Sequence, residues 1–465
     1  MLIDKNKKLK IAIIGGGWAG LSAAYYISKK SLININYNCQ IDIFESSNLI
    51  GGRARSFNYK NYILDNGQHI LAGAYHNTLN LITEVGKSLN LSFKISDVIS
   101  EYNLQWHVKN KFNIKDINLS YINKLNLGLN SKLLINILYS NLSIKFKFEF
   151  IFIILKLKLS NYNLPNNNLI KTVNDWYIYA KISSFMQDNF FTPLCLSILN
   201  TNIEFACIKR FLYALKLTLG SNSIYNAQLL VPKIDLSSLF ALPIIKYINK
   251  ISENNLSFKF NLYLSQAIIN IQKDKYNNNE WVLNNNSHLN YDILILAAPY
   301  NITRNLLSNI QINLPELEYM PITTIYVETL AKFSADIPFL VFKEDIIFQK
   351  NENKQNNVWA IVCSAKYLND KEAENKLNEY KQEFKQEFKL IKRICEKRAT
   401  YKCTPSHPKI SNNPYDNLYL CGDYLHTHYP ATLEAAVESG LDVANHIFKN
   451  YFSSFTNFKP TAEQK

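Results

Sequence analysis

A strand that runs directly into a glycine-rich turn and a helix of small residues constrains this 465-residue chain most strongly. Residues 11–14 are all apolar, which is typical of a parallel strand covered on both faces. In the turn, Gly15 lets the chain bend, Gly17 lets a pyrophosphate approach the backbone, and Gly20 lets the helix pack closely. The helix N-terminus adds free N–H groups and a partial positive charge, so the segment predicts a dinucleotide site.

Glu45 supports this interpretation because it directly follows a second strand-like run, residues 40–44. A carboxylate at the end of that strand accepts hydrogen bonds from both hydroxyls of an adenosine ribose. It would repel a 2′-phosphate, which argues against NADP.

Two further blocks indicate which dinucleotide is bound. Arg53 follows Gly51-Gly52, and Asp423 follows a strand-like run near the other end of the chain. NAD does not need an arginine so soon after the ribose carboxylate, whereas the extended FAD does. Asp423 is placed to be the partner of the ribityl hydroxyls or of the flavin phosphate. The sequence therefore favours FAD over a dehydrogenase that uses NAD alone.

These blocks resemble the flavoprotein superfamily that includes amine oxidases, protoporphyrinogen oxidase and phytoene desaturases. The resemblance runs through residues 11–69, 262–299 and 418–440. It implies an α/β fold: a Rossmann-like FAD-binding domain of the glutathione-reductase type, with an interleaved α+β substrate domain. It places the backbone of Ile268 on the adenine. The contacts implied for FAD are Gly15, Gly17, Trp18, Ala19, Gly20, Glu45, Gly52, Arg53, Gln68, Ile268, Gly422 and Asp423.

On this basis the FAD-binding domain takes residues 1–84, 241–319 and 411–465. Residues 85–240 are predicted to form a mainly helical substrate- or membrane-facing region, and residues 320–410 the sheet and helix of the substrate domain. We expect a strand over residues 262–271 and one charged helix over residues 370–396.

Shorter blocks carry a narrower resemblance, chiefly Asp65-Asn66-Gly67-Gln68-His69-Ile70-Leu71 and Tyr429-Pro430-Ala431-Thr432-Leu433-Glu434. They resemble the squalene-associated FAD-dependent desaturases, the family of hydroxysqualene dehydroxylase. The resemblance implies a role in squalene and hopanoid biosynthesis. The substrate would be an apolar triterpene precursor, the allylic C30 alcohol hydroxysqualene, which is reduced to squalene by hydride from reduced flavin with loss of water.

That reaction needs a group to protonate the leaving hydroxyl, and the motifs offer His69, Tyr429 and Glu434. His69 is favoured because a histidine changes charge near neutral pH, although it also suits shaping the backbone against the flavin. The alternative role for Tyr429 is packing of its ring on the flavin edge, and the alternative role for Glu434 is helix capping. Arg55 is either a flavin ligand or a loop brace.

Two other functions fit the same motifs. A carotenoid- or phytoene-type desaturase, or an amine oxidase-like flavoenzyme, would pass a hydride to FAD in the opposite direction. A non-catalytic isoprenoid-binding protein on this fold would have lost the chemistry. The motifs do not decide the direction of hydride transfer, nor do they name the external electron donor.

The charge balance is basic, with 51 Lys and Arg against 37 Asp and Glu, a net charge of +14. No arginine-rich stripe with interleaved aromatic residues accompanies it, so we expect no nucleic-acid partner. The seven cysteines have no metal-ligand spacing, so we expect no metal. Scattered cysteines and a polar, basic segment at residues 1–10 predict a cytoplasmic protein.

Residues 133–159 alternate long apolar side chains with lysines. One interpretation is a core helix with solvated lysine edges. The other is a surface that dips into one leaflet of the inner membrane, with lysines at the headgroup level, which predicts peripheral membrane association.

Overall fold

The structure is a computed structural model that describes residues 8–33, 38–89, 95–102, 106–110, 113–117, 137–138, 142–165, 169–221, 223, 225–274, 277, 280–330, 339–353 and 356–452. Its strands are β1 Leu9–Ile14, β2 Cys39–Phe44, β3 Ser56–Tyr59, β4 Tyr62–Asp65, β5 Leu71–Ala72, β6 Ile99–Tyr102, β7 Trp106–Asn110, β8 Asn113–Ile117, β9 Leu229–Pro232, β10 Phe258–Tyr263, β11 Ile271–Lys273, β12 Trp281–Leu283, β13 Asn286–Tyr291, β14 Ile293–Leu296, β15 Tyr319–Thr329, β16 Leu340–Phe342, β17 Asp345–Asn353, β18 Asn356–Ser364, β19 Lys389–Tyr401 and β20 Leu418–Leu420.

The helices begin with the one that follows the glycine turn. They are α1 Trp18–Ile33, α2 His76–Ser88, α3 Ile95–Val98, α4 Ile144–Leu159, α5 Val173–Ala180, α6 Ser184–Met186, α7 Thr192–Leu199, α8 Ile208–Thr218, α9 Leu242–Asn254, α10 Tyr300–Ser308, α11 Asp370–Phe384 and α12 Leu433–Phe452. Two π-helical segments, Gln187–Phe191 and Ser237–Ala241, lead into α7 and α9.

A five-stranded parallel sheet in the order β10-β2-β1-β14-β20 forms the first layer. Ile11 lies in register with Ile41 on one side and Ile293 on the other. The central strands β1 and β14 are apolar along nearly their whole length, since both of their faces are buried. Strands from distant parts of the sequence therefore meet in one sheet, and their carboxyl ends share one edge.

A seven-stranded sheet in the order β19-β15-β18-β17-β16-β7-β8 forms the second layer. Its neighbours are antiparallel except for the parallel pair β16–β7. Side chains alternate between its faces: Ile347 and Ile361 pack toward α11, whereas Ile346 and Val362 point to the opposite side. One face is thus closed by a helix, and the other is left to line a cavity.

Two predicted elements differ from the structure. The charged helix predicted over residues 370–396 is wrong beyond Phe384, because Lys385 turns into the left-handed region (φ 51°) and β19 begins at Lys389. Pairing of β19 with β15 overrides the charged, helix-like composition. The strand predicted over residues 262–271 is displaced: β10 ends at Tyr263, and only the short β11 begins at Ile271. Strands β6 to β9 also interrupt the region that the sequence predicts to be mainly helical.

A buried ion pair connects the β3–β4 hairpin to the seven-stranded sheet. Lys350 Nζ lies 2.8 Å from Asp65 Oδ2, and the two side chains are only 9% and 3% exposed. The other carboxylate oxygen of Asp65 accepts hydrogen bonds from Ser56 Oγ and from the backbone N–H of Leu236. Asp65 therefore fixes the start of the segment that carries His69.

We predict that Lys350→Met lowers the free energy of unfolding by about 3–5 kcal/mol, because it leaves the Asp65 carboxylate buried without its cation. The matched control is Lys366→Met, which removes an exposed ion pair with Glu344 and should change stability by about 0.5 kcal/mol or less. Equilibrium urea unfolding followed by circular dichroism measures both. Equal losses in the two variants would contradict the role given to Asp65.

Candidate functional site

The glycine turn after β1 forms the floor of a large cavity at the carboxyl edge of the parallel sheet. Gly15 has φ 114°, and a Cβ there would lie 2.6 Å from the carbonyl oxygen of Ala297, so only glycine fits. A Cβ at Gly17 would meet only the Cα of Gly52, at 3.7 Å, and otherwise points into the cavity. The first backbone N–H groups of α1 are therefore open to an anion.

The second glycine pair packs directly against this turn. The N–H of Gly51 donates to the carbonyl oxygen of Gly16 at 2.8 Å, and a Cβ at Gly52 would lie 3.0 Å from the Cα of Gly17. The two glycine blocks that the sequence separates thus touch through their backbones. A side chain at Gly52 would push the two turns apart and change the shape of the cavity floor.

Glu45 stands at the end of β2 and lines the same cavity. Its Oε2 accepts the backbone N–H of Gly16 at 2.8 Å, and its Oε1 accepts that of Ser47 at 2.8 Å. Oε1 also accepts Ser46 Oγ at 3.3 Å, so Oε2 is the oxygen that keeps a further acceptor position for a ligand hydroxyl. Ile268 lines the same cavity, and the N–H of nearby Gln266 donates to the backbone carbonyl of Glu45 at 2.9 Å, so these residues lie at one end of it.

Arg53 and Asp423 form an ion pair across the middle of the cavity. Arg53 Nη2 lies 3.0 Å from both oxygens of Asp423, and Nη1 donates to the carbonyl oxygen of Ala399 at 2.6 Å. The neighbouring carboxylate raises the pKa of the Arg53 guanidinium. Residues 370 positions apart are thereby held together beside the ligand space.

This first cavity has a volume of about 800 Å³ and receives most of the predicted cofactor residues. Two of them are placed differently. Gly20 does not line the cavity; a Cβ there would clash with the carbonyl oxygen of Gly15, which fits the close helix packing that the sequence predicts for this residue. Gln68 lines a second cavity. The predicted residues that line the first are Gly15, Gly17, Trp18, Ala19, Glu45, Gly52, Arg53, Ile268, Gly422 and Asp423.

Trp18 contributes to the cavity through its position at the start of α1, whereas its ring faces the core. The indole stacks on Phe240 with ring centroids 3.7 Å apart, and its N–H donates to the carbonyl oxygen of Ala54. Arg55 also lines the cavity, and its Nη1 lies 3.4 Å from Ser47 Oγ. Arg55 therefore lies beside the ligand space and also contacts the loop, so its position fits both predicted roles, flavin ligand and loop brace.

The second cavity, of about 330 Å³, is mainly apolar. The open face of the seven-stranded sheet supplies one wall, and the helical region supplies the other. Representative side chains are Phe190, Leu194, Leu215, Phe339, Ile346 and Phe348. An apolar pocket of this size with few polar groups is typical of a small-molecule site.

The two cavities meet at His69, which lines both together with Arg53 and Asn66. Nδ1 of His69 lies 2.9 Å from the carbonyl oxygen of Gly67, and because a carbonyl only accepts, Nδ1 carries a hydrogen. Burial lowers the pKa of the imidazole below its ordinary value. The remaining nitrogen, Nε2, is therefore the one that can exchange a proton.

Two glutamines bring amide oxygens into the apolar cavity. Oε1 of Gln68 and Oε1 of Gln228 are buried, and neither has a hydrogen-bond partner within the described part of the chain. Gln228 is a site residue that the sequence did not reveal, because it lies outside every motif. The N–H of Gly73 donates a hydrogen bond to the backbone carbonyl of Gln228, and this bond holds Gln228 beside the cavity.

The other two candidates for the proton donor lie away from the junction. Tyr429 does not line either cavity; its ring packs against Tyr213 and His426. Its role as a catalytic residue stays a prediction without geometric support. Glu434 is buried and accepts hydrogen bonds from the backbone N–H groups of Asn77 and Thr78 at 2.9 Å. Although Glu434 belongs to the first turn of α12, its carboxylate therefore caps the N-terminus of α2.

The sequence matches the family described as flavin containing amine oxidoreductase over residues 18–349 and 398–448. The site fits a flavin dinucleotide on its own geometry. The glycine floor accepts a pyrophosphate, Glu45 offers acceptors for ribose hydroxyls, and Arg53 with Asp423 stands farther along the same cavity.

Individual relatives match over shorter segments. Zeta-carotene desaturase of Solanum lycopersicum is 35% identical over 91 residues, 19% of this chain and 14% of that protein. Hydroxysqualene dehydroxylase of Sinorhizobium fredii is 42% identical over 50 residues, 10% of this chain and 12% of that protein. The segment that matches zeta-carotene desaturase thus spans about a seventh of that protein's length. A 15-cis-phytoene desaturase of an Oncidium hybrid is 23% identical across 97% of this chain and 79% of that protein.

Solved structures share the fold over almost the whole chain. Cyclohexylamine oxidase of Brevibacterium oxydans has a TM-score of 0.64 and 12% identity, covering 95% of this chain and 99% of that one. Putrescine oxidase bound to putrescine has a TM-score of 0.63 and 9% identity, covering 96% of this chain and 100% of that one. Together with the sequence match across both ends of the site, this establishes that the chain belongs to the flavin containing amine oxidoreductase family and takes FAD as its cofactor.

Proposed function

We propose that this FAD-dependent oxidoreductase reduces hydroxysqualene to squalene, with a Rossmann-like, glutathione-reductase-type domain holding the cofactor. The observation that carries the proposal is the apolar cavity that opens onto the FAD cavity beside His69. The short match to a hydroxysqualene dehydroxylase and the Asp65–Leu71 block support the same substrate.

The cavity walls favour a large apolar substrate. Aromatic and aliphatic side chains from the helical region face those of the seven-stranded sheet across the cavity. Burying a hydrocarbon chain between them contributes about 25 cal/mol for each Å² removed from water. Among the described residues that line this cavity, the carboxylate available to a small charged amine is that of Glu396, at the junction with the FAD cavity.

The unpaired amide oxygens favour an alcohol over a hydrocarbon. A pure carotene would leave Oε1 of Gln68 and Oε1 of Gln228 without a donor, at about 1–3 kcal/mol for each buried acceptor. A hydroxyl group can donate to one of them. This polar requirement separates hydroxysqualene from phytoene or zeta-carotene.

Reduced FAD supplies the hydride for this chemistry, and an external donor must supply its electrons. When the C–O bond breaks, the electron pair stays on oxygen, so that oxygen must gain a proton to leave as water. His69 is the group at the junction that can deliver this proton from Nε2, since Nδ1 is held by Gly67. The apolar walls keep bulk water from the reacting carbon.

A desaturase is the second candidate, and the matches to zeta-carotene and phytoene desaturases favour it. In that reaction the substrate would lose a hydride to FAD instead of gaining one. Because the same residues surround FAD in either direction, a measurement with each substrate has to decide.

We predict that the photoreduced protein, mixed anaerobically with hydroxysqualene, recovers its oxidised flavin absorbance while squalene forms in equal amount. Stopped-flow absorbance and mass spectrometry of the products measure the two. The control is squalene itself, which should leave the flavin reduced. Bleaching of the oxidised protein by zeta-carotene or phytoene, with no response to hydroxysqualene, would establish the desaturase instead.

Gln68→Leu is predicted to raise the KM for hydroxysqualene by about fivefold, because the substrate hydroxyl loses an acceptor worth about 1 kcal/mol. Squalene should inhibit the variant more strongly than the unmodified enzyme, since squalene has no hydroxyl and leaves the buried Gln68 acceptor unpaired. Steady-state kinetics with both compounds give the two constants. Equal changes in KM and in the inhibition constant would mean that Gln68 shapes the cavity without binding the hydroxyl.

His69→Gln is predicted to lower kcat by about 10²- to 10⁴-fold. In the unmodified enzyme kcat should rise as the pH falls toward the pKa of His69, which burial holds below its ordinary value. The variant should lose this acidic limb. Its flavin spectrum is the control for an intact site. A variant that keeps the pH dependence would assign His69 to shaping the backbone against the flavin.

A further inference from the structure

Helix α4 carries a row of large apolar side chains that face solvent. Ile144, Phe148, Phe152, Leu155 and Leu159 are between 51% and 88% exposed, and we call them the outer face of α4. Single exposed apolar residues are common on protein surfaces, whereas a contiguous row is characteristic of an interaction site.

Helical geometry puts all five residues on one side. At about 100° per residue they fall within an arc of about 80°. Phe150, Ile153, Ile154 and Leu157 are buried on the opposite side and join the main core. The helix is therefore anchored by one apolar face while it presents a second one outward.

Lysines border the outer face along both edges. On the same helical wheel, Lys145 and Lys156 lie just beyond one edge, and Lys147 and Lys158 lie beyond the other. The sole acidic residue of α4, Glu149, binds the backbone N–H and hydroxyl of Ser183. The rim of the apolar face is thus positively charged.

We propose that the outer face of α4 seats in the surface of an anionic lipid membrane, with the helix axis parallel to the bilayer. Apolar side chains would enter the acyl boundary, and the flanking lysines would extend to the phosphate headgroups. The net charge of +14 adds long-range attraction to such a surface. Within the residues that the structure describes, no helix is long and apolar enough to cross a bilayer.

The position of α4 gives this docking a consequence for the proposed reaction. On the buried side of α4, the ring of Phe150 lies 4.6 Å from that of Phe190, which lines the apolar cavity. A docked protein would place only α4 and the residues packed beneath it between that cavity and the lipid that dissolves a triterpene. This consequence rests on the proposed function, whereas docking itself rests on the outer face alone.

The test is flotation of the full-length, flavin-loaded protein with vesicles of phosphatidylcholine containing phosphatidylglycerol, without substrate. We expect the protein to float with the vesicles, and Phe148→Ser/Phe152→Ser to lower the partition coefficient at least tenfold. The matched control is Leu256→Ser/Leu330→Ser, which removes two exposed leucines elsewhere and should float like the unmodified protein. Lys145→Glu/Lys156→Glu should weaken binding at low salt more than at high salt.

Flavin absorbance of each variant reports an intact fold, so loss of binding is separable from unfolding. A protein that stays out of the vesicle fraction would overturn the proposal, as would equal flotation of the α4 and control variants. Size-exclusion chromatography addresses a competing occupant: a dimer that Phe148→Ser/Phe152→Ser dissociates would assign the face to a second copy of this chain. None of these results depends on turnover, so failure of the dehydroxylase activity would leave the docking result standing.

Discussion

The guanidinium of Arg53 is the point on which the arrangement of the two cavities depends. It bonds the carboxylate of Asp423, which follows the last strand of the parallel sheet, and the carbonyl of Ala399 in β19 of the other sheet. One side chain therefore ties the glycine loops, the C-terminal turn and the substrate layer together. Because Arg53 lines both cavities, any displacement of it would change the path between them.

Most residues that the sequence predicts to bind FAD lie together in one cavity because their determinants are local. A strand, a glycine turn and a helix specify the position of Gly17, and a strand end specifies that of Glu45. Gln68, which the sequence predicts to contact FAD, lines the apolar cavity and not the FAD cavity, for a complementary reason. It belongs to the same motif as His69, but packing decides which cavity each of the two adjacent side chains faces.

The elements that the sequence did not predict all depend on distant partners. β19 has the composition of a charged helix, yet its pairing with β15 makes it the edge strand that carries Glu396 and Ala399 to the site. Glu434 lies at the start of its own helix, yet its carboxylate caps α2, more than 350 positions away. No pattern within a window of neighbouring residues contains this information.

For the proposed reaction, the polar groups in the substrate space bear on the direction of hydride transfer more than those around FAD. His69 can take a proton at Nε2 when it is neutral and give one from Nε2 when it is protonated, so its ionisation alone fits either direction. The buried amide oxygens of Gln68 and Gln228 are different, because they can only accept a hydrogen bond. A substrate without a donor would leave both unpaired in an apolar wall, whereas an alcohol would pair one of them. This difference is the physical reason for proposing a substrate that loses a hydroxyl over one that gains a double bond.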